Sequence, residues 1–267
     1  MSGLLTELGK RLADRWLSEL LIPGALFLLF LWTALTLRNG HALDWRRVRT
    51  AAEHDLTALG AQQAAARILV LLVLAGLLGT LGRSFGAALL AFWFAHWPRL
   101  PLYPLLAVRR WSARRRLPAG ATTRYLPDRH SWMADRMRLL DERLDAEYSL
   151  RIGPLWSRLW VSSDDRARVP VTLAQRALER SAVLAAWGLV VTGAARIWWP
   201  AALLGPVLFL LGVRRARSAT DTLAELVEAV VDTSQERIAT MFGFAVRGGV
   251  VRPADARQIN SRIVKGF

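Results

Sequence analysis

Apolar residues along this chain gather in long blocks separated by polar, arginine-rich stretches. The first block runs from Trp16 to Thr36, with the core LLIPGALFLLFLWTALT. That core is close to the ~20 residues a helix needs to cross the hydrocarbon layer of a bilayer. Pro23 and Gly24 in its first half predict a kink, which a membrane helix tolerates where neighbours satisfy the freed backbone groups. Glu7, Asp14 and Glu19 flank the block and no clean small-residue cleavage site follows it. It therefore reads as a retained span and not as a cleaved signal peptide.

The second block, Ile68 to Trp97, would be about 45 Å long as one helix, against about 30 Å of hydrocarbon. One crossing with an interfacial tail of Phe92, Trp93, Phe94 and Trp97 is the expectation. A helix that overshoots the hydrocarbon, one that ends near Arg83 with a second piece in the interface, and a re-entrant hairpin are the alternatives. The third block, Ser181 to Val213, would span about 50 Å and is interrupted by Arg196, Trp198, Trp199 and Pro200. Two short spans, 181–197 and 200–213, joined by an aromatic turn follow from this. Trp suits such a turn, because its ring is apolar while its N–H stays wet at headgroup level. The predicted fold is thus all-α: a multi-pass transmembrane bundle of about four spans with amphipathic cytoplasmic helices.

The polar stretches have their own periodicity. In 37–67, Trp45, Val48, Ala52, Leu56 and Leu59 recur at helical spacing behind Asp44, a suitable N-cap. In 98–180, Met133, Met137, Leu140, Leu144 and Tyr148 make one stripe on a helix at 131–149. Leu223, Leu226, Val227, Val230, Val231, Ile238 and Met241 give the apolar face of a single helix over 219–243, ended by Gly243 and the pair Gly248–Gly249. The resulting segments are 1–36, 37–67, 68–97, 98–180, 181–213 and 214–267.

Composition supports the membrane reading. The chain is 53% hydrophobic with mean hydropathy +0.25, yet its formal net charge is +15 and its pI about 11.6. Soluble domains rarely combine these. All basic residues except Lys10 and Lys265 are Arg, a bias associated with GC-rich bacterial genomes. Region 98–180 holds 17 basic residues and the part from 214 holds nine. The N-terminus has three, 37–67 has five, and the turn near Pro200 has only Arg196. The positive-inside rule then places both termini and 98–180 in the cytoplasm. The absence of cysteine excludes disulfides, thiolate metal sites and cysteine nucleophiles.

Few residues point to chemistry. Arg83 lies in an apolar block beside Gly82 and Gly86, where a cation costs several kcal/mol unless paired or hydrated. It is a candidate for lining a pore or a subunit interface, or for snorkelling to the bilayer surface. Gly82 and Gly86 form a small-xxx-small step suited to close helix contact, between copies or within one chain. Residues 82–86 formally match G-x-S-x-G, but Ser84 has no strand–turn–helix setting and no histidine in a neighbouring span. Of His41, His54, His96 and His130, only His54 has acidic neighbours, Glu53 and Asp55. Adjacent helical residues point in different directions and do not converge on one ion. No metal, cofactor, Walker loop or dinucleotide fingerprint is expected.

Two charged groups remain. Arg109, Arg110, Arg114, Arg115 and Arg116 surround Trp111. Anionic lipid or an acidic helix is their expected partner, and nucleic acid is not. Asp221, Glu225, Glu228, Asp232 and Glu236 form an acidic stripe. It reads as a solvated face or as a docking stripe for that arginine cluster, in the same or another subunit.

The stretch LDAEYSLRIGPLWSRLW, followed by AWGLVV, IWWPAALLG and LAELVEAVVDTSQERIATMFG, resembles a set of uncharacterised multi-pass membrane proteins of high-GC Gram-positive bacteria, over about residues 145–245. The resemblance implies a bacterial plasma membrane and carries over no activity and no functional residue. The leading expectation is an oligomeric channel or pore gated by its cytoplasmic helices, such as a membrane effector of a bacterial defence system. A membrane anchor that recruits a soluble partner is the alternative. A membrane enzyme ranks third, because no polar catalytic groups converge.

Overall fold

The computed structural model describes residues 17–57, 60–95, 103–116, 126–244 and 251–263. Glu7, Asp14, Leu59, His96, Trp97 and the pair Gly248–Gly249 lie outside them. The described residues are helical, with no strand among them. A π-helical turn, Leu17–Leu21, leads into α1, Ile22–Leu37. Then come α2 (Trp45–Thr57), α3 (Ala61–Phe94), α4 (Tyr103–Arg116), α5 (Trp132–Tyr148) and α6 (Ile152–Ser162). The rest are α7 (Asp165–Gly193), α8 (Ala201–Thr233), α9 (Gln235–Met241) and α10 (Pro253–Ile263).

One alternative falls and two expectations change. Helix α3 runs unbroken past Arg83 for 34 residues, about 51 Å. Its apolar run has no Pro, and Gly79, Gly82 and Gly86 are each covered by packing. Helix α8 does not begin near 219. It continues from the apolar hairpin at Ala201 to Thr233. The helix expected over 219–243 also breaks at Ser234, after which α9 restarts. Two helical segments, Gln62–Phe94 and Asp165–Arg196, are long and apolar enough to cross a membrane, and Ile22–Leu37 is apolar but shorter.

The chain divides into two compact units. The first comprises residues 1–89 and 180–213. Its helices meet through glycines. A Cβ on Gly24 would strike the Ala75 carbonyl, and one on Gly79 would strike that of Leu20. A Cβ on Gly82 would come within 2.5 Å of the Trp187 ring, and one on Gly86 within 2.6 Å of Val183. Gly188 approaches Phe209, Gly205 approaches Thr192, and Gly212 approaches Ala185. In each pair of helices an advance along one is matched by an equal retreat along the other. The register therefore makes α1 antiparallel to α3, α3 to α7, and α7 to α8. Small residues permit this close backbone approach.

One end of this unit is closed by polar contacts between loops. Asn39 donates from Nδ2 to the Arg196 carbonyl at 3.0 Å and accepts the Trp199 N–H at 2.7 Å. Trp198 Nε1 donates to the Ala42 carbonyl at 2.9 Å. Beneath lie Ala34, Leu37, Val191, Trp198 and Ala201, with the Phe27 ring tilted against Trp187 and Phe30 edge-on to Trp198.

The second unit comprises residues 90–179 and 214–267. Its core is built of large aliphatics: Leu140 and Leu144 of α5, Leu155 and Leu159 of α6, Val171 of α7, Val231 of α8, Ile238 of α9 and Ile259 of α10. Met133, Leu140 and Leu144 of the expected α5 stripe are buried, while Met137 and Tyr148 are half-buried. Ser131 caps α5 by accepting the Ala134 N–H, and Ser149, at φ 53°, ends it in the left-handed region. Asn260 of α10 stabilises that turn from both sides. It donates to the Ser149 carbonyl at 2.8 Å and accepts the Arg151 N–H at 3.1 Å.

Candidate functional site

The acidic stripe of α8 is an internal seam. Asp221 accepts from Arg136 Nε at 2.8 Å, Glu228 from Arg143 at 3.0 Å, and Asp232 from the Tyr148 hydroxyl at 3.0 Å. The two ion pairs lie seven residues apart on both helices and advance in the same direction. Helices α5 and α8 therefore run parallel here, with matched charges fixing the register. The partner of the stripe is thus α5 and not the Arg109–Arg116 cluster. Glu225 is exposed, and Glu236 is exposed on α9, beyond the break at Ser234 that ends the stripe on α8. Partial burial, then the hydrogen bond to and charge of Asp232, push the Tyr148 phenol above its ordinary pKa. Burial, the largest cause, likewise raises the Asp141 carboxyl, against a backbone hydrogen bond that lowers it.

The arginine cluster splits. Arg109 pairs with Asp135 at 2.8 Å and donates to the Arg129 carbonyl. Arg110 donates to the Pro127 carbonyl at 2.8 Å and to Asp128 at 2.6 Å. Arg114 and Arg115 are exposed, and Arg115 stacks on Trp111 with its guanidinium 3.6 Å from the ring centre. The side chain of Arg116 lies outside the described residues.

Asp135 is the hub of this region, although its sequence context gives no sign of it. Its carboxylate is buried and accepts the backbone N–H groups of Asp128 and Arg129, both at 2.9 Å. The two bonds to Oδ1, with the Arg109 charge 2.8 Å from Oδ2, offset part of the cost of burying the carboxylate. The same short segment ties down the last turn of α3, whose carbonyls have no partner within the helix. His130 Nε2 bonds the Phe92 carbonyl at 2.8 Å, and Ser131 Oγ donates to the Trp93 carbonyl at 2.5 Å. Ser131 thus serves two helices, as N-cap of α5 and as donor to the end of α3. A serine before an apolar-periodic run was the readable signal for the first role; nothing marked the second.

Gly82 and Gly86 are buried against α7 of the same chain, so their close-contact face is occupied internally. Arg83 between them is exposed, next to exposed Leu81 and Phe85. Ser84 is also exposed. Glu53 pairs with Arg49 at 2.8 Å, while Asp55 accepts from Trp32 Nε1 at 3.3 Å. They therefore serve different partners, and His41 and His54 are exposed. No group of three or more metal-ligating side chains gathers among the described residues. The chain matches no family model, no curated protein and no solved structure.

Proposed function

We propose that this chain is an integral membrane protein that holds a folded cytoplasmic unit at the bilayer surface, as an anchor or scaffold for a soluble partner. The observation that carries the reading is the closure of the glycine faces. Every glycine contact of the first unit named above is made within one chain, and what faces outward is Leu and Val, among them Leu69, Val73, Leu77, Leu203 and Leu210. Such a surface suits lipid. The second unit has an aliphatic core and a charged exterior, which suits water. Four antiparallel crossings, with residues 38–44 and the turn at 194–200 on the outer side, agree with the arginine distribution.

The chain has no cysteine, which makes single-cysteine topology mapping direct. With Gly40→Cys, an impermeant maleimide is expected to label intact cells. With Ser261→Cys it is expected to label only after permeabilisation. Labelling of both from the same side would overturn the arrangement.

A channel is the second reading, favoured by the exposed Arg83 within a largely apolar helix. Particles of one or two copies in nanodiscs support the anchor. A ring of three or more copies, with ion flux lost in Arg83→Ala, would replace it with the channel.

A further inference from the structure

Helix α4 presents two faces of different kind. One carries Arg109 and Arg110, half-buried and bonded to residues 127–135 as described. The other carries Val108, Trp111, Arg114 and Arg115, all exposed; Val108 is 61% and Trp111 55% accessible. Positions 108, 111 and 115, with 114 beside them, share one side of an α-helix. Two large apolar side chains and two arginines thus point away from the unit's own core.

The position of α4 is fixed by a short series of bonds. The end of α3 is held by His130 and Ser131, and the segment that carries them is held to α4 by Arg109 and Arg110. Helix α4 therefore sits beside the last turn of an apolar helix long enough to cross a membrane.

We propose that the Val108–Trp111–Arg114–Arg115 face of α4 lies on the headgroup layer of the bilayer and gathers anionic lipid. This rests on the membrane reading above. The headgroup layer accepts an aromatic ring with apolar neighbours, and lipid phosphates pair with guanidinium groups. Arg115 stacked on Trp111 puts its charge at the ring's own depth. A net charge of +15 favours an anionic partner over an acidic-poor one. Arg109 and Arg110 take no part, because their donors already serve carbonyls and carboxylates of the segment after α4.

The test uses the full chain reconstituted in phosphatidylcholine bilayers. An environment-sensitive dye is placed at Val108→Cys, and separately at Val73→Cys on the apolar face of α3. Quenching by brominated phosphatidylglycerol is compared with quenching by brominated phosphatidylcholine at equal mole fraction. The dye at Val108→Cys is expected to be quenched by both lipids, and more strongly by the anionic one.

Adding Arg114→Gln and Arg115→Gln removes the excess, an enrichment of about thirtyfold at roughly 1 kcal/mol per arginine. Arg114→Lys with Arg115→Lys keeps it, which separates lost charge from lost folding. Equal quenching by the two lipids would overturn the anionic preference. A dye at Val108→Cys that neither lipid quenches, while the dye at Val73→Cys is quenched, would overturn the docking. Shielding of the Val108→Cys dye from aqueous iodide as well would show a protein surface covering the face, a second copy or a soluble partner, and would overturn it too. A dye at Val73→Cys that no lipid quenches would overturn the membrane reading itself.

Discussion

The two units solve the packing problem in opposite ways. In the first, small residues lie inside: Gly24, Gly79, Gly82, Gly86, Ala182, Ala185 and Ala186. Large aliphatics face outward along α1, α3 and the start of α8. In the second, Leu144, Leu155, Leu159, Ile238 and Ile259 are fully buried, and the outside is charged. Water drives large apolar side chains inward, because removing their surface from it is favourable. Lipid gives no such drive, so helices associate where backbones can approach. The contrast is the one expected of the proposed arrangement, with lipid around the first unit and water around the second.

That contrast predicts opposite sensitivities. Enlarging a small residue hurts most in the first unit. Gly24→Val sets a branched side chain against the Ala75 backbone, which cannot rotate away. A loss of about 3 kcal/mol or more is expected, read as a collapsed melting transition in detergent. Gly153→Ala in the second unit, with open space around it, is expected to stay within about 1 kcal/mol.

Shrinking a large residue should reverse the order. Leu155→Ala leaves a cavity in a fully buried site and costs about 3 kcal/mol. Leu72→Ala, on an outward face, changes unfolding by less than about 0.5 kcal/mol. Equal losses at both positions would break the comparison.

Among the described residues, buried charge belongs to the second unit. Asp135→Asn removes the charge partner of Arg109 from a buried site, where the carboxylate is 6% accessible and Arg109 25%. A loss of about 2 kcal/mol is expected in the same melts. The Arg143–Glu228 pair is more open, at 58% and 22%. A double-mutant cycle there is expected to give less than about 1 kcal/mol of coupling, weakening further with salt.

The smallest effect is a titration. The Tyr148 phenol is raised in the folded chain, so its stabilising contribution is complete below the ordinary tyrosine value of about 10 and is lost as pH climbs beyond it. Phenolate absorbance should show one late-titrating tyrosine, absent in Tyr148→Phe and earlier in Asp232→Asn. A profile unchanged by Asp232→Asn would remove the carboxylate from the account.

Much of the helical layout was legible in advance. Periodicity located α2 and α5, since hydrophobic spacing marks a helix, and the length of the 181–213 block with its Arg196–Pro200 interruption located the hairpin turn. Continuity was not legible. Helix α8 joins an apolar half to a charged half, because composition can change along a helix without breaking its hydrogen-bond ladder. The break at Ser234 escaped notice for the converse reason: the apolar spacing continues across it.

The sequence by itself determined that the chain is helical, strongly basic and built of apolar blocks, because these are properties of residues and their immediate neighbours. Tertiary structure alone decided the partners. It turned an acidic stripe into a seam with α5, assigned Gly82 and Gly86 to α7, divided one arginine cluster between a bonded face and an open one, and made Asp135 a hub. Each of these joins residues distant in the chain, and charge or size in a sequence states what a side chain can pair with but not which candidate the fold brings within reach.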